Sequence, residues 1–568
     1  MRKNNMTRQY NRLMTWQARL FALLALPLVL LAVAAPAQAG EDLAAARLRA
    51  ELASPDPGAL ALPVELARAM RQFYADRAYQ PVWLNSPHWS DKATQALQYL
   101  AAADREGLSA RDYMLAPDMT APHGDKLGAI ADMRLTAALM RYVVDVSSGR
   151  GAPEKFDPDL FIHPRRPDPA MLLATGLAAP DFRGWLDSLP PAHAPYRRSR
   201  DGLARLRQMP ADGDWPQLAD GPALRAGDRD PRIAILRAQL TQWGDLAVPV
   251  ATAEAVAAQA SADPQFFDSA LTEAVTGFQR RHGLETDGIV GAQTRRALNV
   301  PPSERARQLA LNMERWRWLA PQLGPRHVRV NIADFNLVAV SPDGDTLHSP
   351  VIVGRDYRRT PVFSDRIVGL VLSPSWTPPV TILRKDLLPK LREDPDYLIR
   401  KRFRVFEGWG DAAREVDPAS VDWRNVSTRN LRYWLRQAPG PDNALGGVRF
   451  TLTNDFGIYL HDTPDRGLFS RNKRDFSSGC VRVQEAEQLA LFALHGDPRW
   501  PLDKLRAAMV SGETRTVKLL EPLPVHILYL TAWIDSAGRF QFRDDIYGRD
   551  MLLNQALALP GPDLSGNL

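Results

Sequence analysis

The chain has 568 residues, 45% of them hydrophobic and 24% charged, with a formal net charge of +6. That length is too great for one hydrophobic core and calls for about two to four domains, and the composition excludes a disordered or fibrous chain. A single cysteine excludes an internal disulfide and any site built from several cysteines.

The excess charge is local. Arg2, Lys3, Arg8, Arg12 and Arg19 precede residue 40 with no acid among them, so the rest is near neutral. No electrostatic footprint for nucleic acid remains. After Arg19, "LFALLALPLVLLAVAAPAQA" is uncharged and ends on Ala37-Gln38-Ala39. The order basic, apolar, small-x-small is that of an export signal, so residues 1–39 are expected to be a leader. An uncleaved anchor is the alternative, since ~20 apolar residues span a bilayer. Pro27 and the alanine-rich end favour cleavage. Either way the body is expected in the periplasm, touching membrane only through this segment.

Residues 40–228 are expected to be a helical scaffold. "LPVELARAMRQFYADRAYQPVWL", "DKATQALQYLAAADREGL" and "DMRLTAALMRYVVDVSSGRG" repeat apolar residues every three or four positions, and Pro-rich loops separate them. No catalytic grouping stands out there. Residues 229–301 hold an amphipathic helix, "DPRIAILRAQLTQWGDL". A second helix follows with Val275 and Phe278 inward, then the turn "HGLETDGIVG" and a short helix from Thr294 to Leu298. Phe278-Gln279, Gly283-Leu284, Asp287-Gly288-Ile289-Val290-Gly291, Thr294 and Leu298 resemble the peptidoglycan-binding domain, a three-helix module. Phe278, Leu284 and Leu298 are expected to fold that module, not to touch ligand, and His282 is assigned no metal. Residues 302–325 read as a connector helix, with Ser303 as N-cap and Leu309, Met313 and Trp316 as a core stripe.

From residue 326 the period changes to two. "HVRVNIADFNLVAVSPDGDTLHSPVIVG", "RIVGLVLSPSWTPP", "VRFTLTN" and "GIYLHD" alternate as strands. Residues 383–440 interrupt them with a charged, helix-like insertion, read as a lid. A closing strand pair is expected around Ser536-Ala537-Gly538, with 536–568 as C-terminal strand and tail.

The lone thiol sits in "DFSSGCVRV". A thiol attacks as thiolate, which needs a base or positive surroundings. His461 ends the strand "GIYLH", sharing a face with Tyr459, and the loop between it and Cys480 is long enough to fold back. Gly479 lets the backbone bend and present N–H groups to an oxyanion. Ser477 and Ser478 are candidates to orient the loop or donate a further hydrogen bond. Arg482 is a candidate to hold a substrate carboxylate or to brace the loop.

His461 followed by Ser477-Ser478-Gly479-Cys480-Val481-Arg482 resembles the signature of the L,D-transpeptidases, the YkuD-like catalytic domain. Ser478 stands where that family commonly has a second histidine, as in its large periplasmic Gram-negative members (the YcbB-like type). Arg359-Thr360-Pro361, "PSWTPP" at 374–379, "RQAPGPDNALG" at 436–446 and the lid fit those members too.

The resemblance implies a multidomain α+β chain: helical N-terminal scaffold, peptidoglycan-binding module, and a mainly β catalytic domain at 326–535 with a helical capping insertion. It implies a cysteine acyltransferase that needs no cofactor and no metal. Cys480 would attack the third residue of a tetrapeptide stem, a diaminopimelate, and His461 would move the proton. D-Ala would leave, and a second diaminopimelate amine would take the acyl group to form a 3→3 cross-link. The Asp462 carbonyl would hold the histidine, with the Asp462 carboxylate a sharper alternative. Tyr459, Trp376 and Ser477 are substrate-groove candidates, and Trp376 reads equally well as core. Implied partners are stem peptides, glycan and, as inhibitors, carbapenem-type β-lactams. Water or an outer-membrane lipoprotein lysine as acceptor remain alternatives, as does a non-catalytic wall-binding scaffold. A zinc peptidase would need clustered ligands that the sequence lacks.

Overall fold

The computed structural model describes residues 35–54, 62–85, 88–114, 125–151, 153–210, 212–247, 263–394, 396–408, 410–429 and 431–558. Most of the expected leader and the last residues of the expected tail lie outside them. Among the described residues no helix is long and apolar enough to cross a membrane.

The first third is helical where apolar residues recur every three or four positions. Helices Val64–Ala75, Asp91–Ala101 and Asp125–Ser148 bury one another's apolar faces, and a two-residue pair, β1 (Leu84–Asn85) with β2 (His88–Trp89), lies between them. Helix Asp125–Ser148 ends at Gly149, whose φ of +85° takes the left-handed conformation a side chain resists. A second feature was not legible in the sequence. β3 (Leu160–Phe161) leaves this helical region and pairs in parallel with a strand of the catalytic sheet.

The module at 229–301 is built from helices Arg232–Trp243, Ser269–Arg281 and Ala292–Leu298. Asp268 caps the second, its carboxylate accepting the Leu271 N–H at 2.8 Å. Phe278, Val275 and Leu298 are fully buried. Helix Pro302–Arg317 follows, its stripe of Leu309, Met313 and Trp316 buried. Ser303 is not its cap: the helix starts at Pro302, whose fixed φ suits the first turn, so Pro301 takes the cap position without a side-chain bond.

Eight strands then close into a barrel-like sheet. β4 (His327–Asn331), β5 (Asn336–Ser341) and β6 (Gly344–Gly354) form a meander, and β7 (Val362–Leu372) follows. After the lid come β11 (Val448–Leu452), β12 (Leu460–His461), β14 (Val481–Val483) and β15 (Arg515–Leu528). Their order is β11-β12-β14-β6-β5-β4-β15-β7, and β7 returns to β11 to complete the ring. β13 (Asp475–Ser477) pairs with β6 outside that path. β16 (Ala532–Ile534) and β17 (Phe540–Phe542) form the expected closing hairpin as a separate small sheet. One apolar core runs from Leu160 and Tyr196 through the module to the barrel, while the first helices keep a core of their own.

The lid departs from the helical expectation in its second half. Helical segments Val380–Ile382, Leu383–Leu387 (a π-helical turn) and Leu388–Glu393 run on from one another. Then β8 (Phe403–Glu407), β9 (Arg414–Val416) and β10 (Tyr433–Gln437) make a three-stranded antiparallel sheet. "RYWLRQ" becomes β10 because its aromatic residues pair across the strands: Trp434 lies opposite Phe406, rings stacked at 4.2 Å. The lid has its own core around Leu391, Trp423 and Leu435.

A buried ion pair ties the helical region to the barrel. Arg549 Nε donates to Asp157 at 2.8 Å, with both side chains 1% exposed. Arg549 also donates to the Thr360 carbonyl. Removing one member strands the other charge, so Arg549→Met is expected to cost about 3–5 kcal/mol of unfolding free energy. Denaturant unfolding checks this, and Arg549→Met with Asp157→Asn should recover part of the loss.

Candidate active site

Cys480 immediately precedes β14, and Tyr459 immediately precedes β12. These strands run parallel with Leu460 level with Val481 and His461 level with Arg482. The register continues through the Val481 N–H bond to the Tyr459 carbonyl at 3.2 Å, which sets Cys480 level with Tyr459. Alternation then brings Tyr459, His461, Cys480 and Arg482 to one face while Leu460 and Val481 point into the core. His461 is the diagonal neighbour of Cys480, at a Cα separation of about 8 Å for strands ~4.8 Å apart rising ~3.3 Å per residue.

The loop before the cysteine is held from behind. Gly479 has φ +116°, and a Cβ there would come 3.2 Å from Ile458 Cδ1. Thr360 is fully buried; its hydroxyl donates to the Gly479 carbonyl at 2.8 Å and accepts from the Gly354 N–H at 2.8 Å. Ser477 donates to the Cys480 carbonyl at 2.6 Å and accepts from the Gly479 N–H at 3.1 Å. Ser477 is 3% exposed, so its hydroxyl shapes the loop and is not a groove contact, contrary to expectation. Ser478 faces outward and accepts from Arg358 Nη1 at 2.7 Å. Arg358 also grips lid residue Asp386 through both carboxylate oxygens. Ser478 thus joins the nucleophile loop to the lid and turns away from the thiol.

The Cys480 thiol is half-buried, and its Sγ lies 3.9 Å from the Gly457 carbonyl. Burial raises its pKa; the Tyr459 backbone N–H, Arg482, the Tyr459 hydroxyl and Arg449 pull the other way. The Tyr459 hydroxyl also meets the Trp376 indole. Trp376 is half-buried against the lid core, and its backbone exchanges two hydrogen bonds with Gln437 at 3.0 and 2.7 Å. It therefore stands at the root of the lid and reaches the site through Tyr459.

His461 is 5% exposed. Its Nδ1 lies 2.5 Å from the Asp462 carbonyl, which assigns the proton to Nδ1 and leaves Nε2 as the basic nitrogen. Burial, helped by Arg482 and Arg449, lowers its pKa to about 3. Both thiol and imidazole are therefore neutral at neutral pH. The Asp462 carboxylate is not a third member: Oδ2 accepts from the Gly447 N–H at 2.8 Å, so the group points away from the ring. Arg482 pairs with Asp465 at 2.9 Å and braces the loop.

Arg449 was not singled out in the sequence. It lies level with His461 on β11, with its guanidinium carbon 5.4 Å from the Tyr459 ring centre. Its Nε is buried without a hydrogen-bond partner, and no carboxylate pairs with it among the described residues. Strand alternation in "VRFTLTN" was its only trace. Among the described residues no group of three or more His, Cys, Asp or Glu could hold a metal ion.

A thiol sharing one face with a neutral imidazole, with a backbone N–H at the sulfur, suits acyl transfer through cysteine. The comparisons give its family. Residues 325–500 match the L,D-transpeptidase catalytic domain (YkuD), 229–298 the "Putative peptidoglycan binding domain" and 68–203 the scaffold domain. The chain thus carries a YkuD L,D-transpeptidase catalytic domain joined to a peptidoglycan-binding domain and a scaffold domain. A Haemophilus influenzae protein named "Putative L,D-transpeptidase" is 38% identical over 261 residues, 45% of this chain and 51% of that one. The N-acetylmuramoyl-L-alanine amidase CwlM of Mycobacterium tuberculosis is 42% identical over 86 residues, 15% of this chain and 20% of that one. The chain therefore spans about half or less of the length of these relatives. The solved L,D-transpeptidase of Xylanimonas cellulosilytica (residues 123–326) covers 54% of this chain and 99% of its own at 14% identity and a TM-score of 0.17.

Proposed function

We propose that this chain is an exported, periplasmic L,D-transpeptidase that forms 3→3 cross-links between peptidoglycan stems. The observation that carries the proposal is the shared face of Tyr459, His461 and Cys480 inside the matched catalytic domain. The division read from the sequence, with scaffold at 40–228, module at 229–301, connector at 302–325 and catalytic domain from 326, forms part of it.

Cys480 Sγ attacks the carbonyl at the L-centre of the donor's diaminopimelate as its proton passes to His461 Nε2. The Tyr459 N–H faces the sulfur and is a donor for the oxyanion. Arg449, with no carboxylate partner among the described residues, suits a stem carboxylate better than the paired Arg482. The tetrahedral adduct collapses, His461 returns the proton to the departing D-Ala nitrogen, and a thioester remains. The side-chain amine of a second diaminopimelate then attacks the thioester and loses its proton through His461, and the thiol is restored. A carbapenem-type β-lactam offers the same thiol a strained acyl carbon, so a lasting Cys480 adduct belongs to the reading.

Purified disaccharide-tetrapeptides incubated with the full chain, with products resolved by mass, test it. Dimers lacking one D-Ala are expected. Tripeptides alone would assign water as acceptor, and unchanged substrate would overturn the proposal.

A further inference from the structure

Three cavities lie in series along the seam where the module, the connector helix and the barrel meet, away from Cys480. The first, about 200 Å³, lies between the module and the closing hairpin and is lined by His282, Arg305, Phe542 and Arg543. Arg543 also lines the second, about 340 Å³, with Trp533, Asn336 and Asp334. Arg198, Arg329, Trp316 and Ser536 are shared between the second and the third, about 820 Å³, which His193 closes at the far end. The seam follows β4 and β5, and in the sheet order β6 and β5 separate β4 from β14. That distance is roughly three strand spacings, about 14 Å.

The lining is unfinished in a way that points to a ligand. His282 is 4% exposed, Arg305 8% and Trp316 2%, yet His282 Nε2, Arg305 Nε and Trp316 Nε1 have no hydrogen-bond partner. Asn336 Oδ1 is a fourth such atom. Buried polar atoms are almost always paired, so four along one seam call for a partner that brings both donors and acceptors. Arg198 spends its Nε on the Ile534 carbonyl at 3.1 Å and has no carboxylate partner among the described residues.

We propose that this seam binds a glycan strand, an N-acetylated and carboxylate-bearing saccharide chain, as an anchor separate from the reaction centre. The elongated series fits a polymer better than a small molecule. The part-buried indole of Trp533, with Arg543 over one face, suits the C–H face of a sugar ring, and the guanidinium of Arg198 suits acetamido and carboxylate oxygens. Asp334, Asp535 and Asp544 also line the seam, which disfavours a polyphosphate. One end begins at the domain matched to peptidoglycan binding. The proposal rests on the wall-polymer reading above.

The test uses the full chain and stem-free glycan oligosaccharides, alternating N-acetylglucosamine and N-acetylmuramic acid, with affinity read by calorimetry. Trp533→Ala and Arg198→Gln are each expected to weaken binding at least tenfold, while Cys480→Ala binds as the parent does. A thermal unfolding midpoint equal to the parent's shows that each variant is folded; if Trp533→Ala is not, Arg198→Gln carries the test. Undiminished binding by the folded variants, or no binding by the parent, overturns the proposal. So does a single-stranded DNA oligomer that displaces the glycan. Glycan binding without D-Ala release would sink the catalytic reading and leave this one standing, and the reverse would sink this one alone.

Discussion

Cys480→Ala is expected to abolish D-Ala release from tetrapeptide stems, a loss of about 10⁴–10⁶-fold, down to the uncatalysed background. The fold should survive. The thiol is half-buried, it donates only weakly, at 3.9 Å to the Gly457 carbonyl, and the loop is held by Ser477 and Thr360. The thiol is the only sulfur nucleophile in the chain, so no other cysteine can substitute. An unchanged unfolding midpoint with no D-Ala release is the predicted pair of results. Release at the parent's rate would show that acyl transfer does not pass through Cys480.

His461→Gln is expected to lower the same rate by about 10²–10⁴-fold, the usual range for removing a positioned general base. Glutamine keeps a polar side chain of similar reach but cannot take the thiol proton. The pH profile distinguishes a base from a merely structural ring. Burial holds His461 at about 3 and pushes Cys480 up, so the neutral pair persists across the neutral range and the parent's rate should be flat there with no inflection near 6.5, whereas His461→Gln, left without a base, should climb with pH as the thiol ionises. The same burial has a stability consequence. His461, at about 3, and His526, at about 4, both lie below the ordinary value of 6.5, so the unfolded chain binds their protons first. Their contribution is complete above pH 6.5 and is lost as pH falls, through about 4 for His526 and about 3 for His461. Acid unfolding of His461→Gln should therefore be less steep than the parent's across that window.

The proposed pair, His461 and Cys480, was legible in the sequence because its signals are local. A histidine at a strand end, a glycine before the only cysteine and period-two alternation can all be read without knowing the fold. The module was visible for the same reason, since its turn needs glycines with positive φ at Gly283 and Gly288. What the sequence hid depends on residues far apart in the chain. Ser477 and Ser478 look alike, yet one is folded under the loop by the Cys480 carbonyl and the other is drawn out by Arg358. The Asp462 carbonyl holds His461 Nδ1 as expected, and the alternative of its carboxylate fails because the Gly447 N–H, across the β11–β12 pairing, takes that group instead. β10 was misread because "RYWLRQ" supports either period until Phe406 supplies its stacking partner. Arg449 carried no local mark, because what sets it apart is the lack of a paired carboxylate among the described residues.

The central claim is that Cys480 carries the acyl group as a thioester. Intact-mass analysis of the full chain, quenched in acid during turnover of a tetrapeptide donor, tests it most directly. The account predicts a mass increase equal to the donor less D-Ala, located on the peptide containing Cys480 and absent from Cys480→Ala. Turnover with no adduct on that peptide, abolished by a chelator and untouched by thiol alkylation, would contradict it.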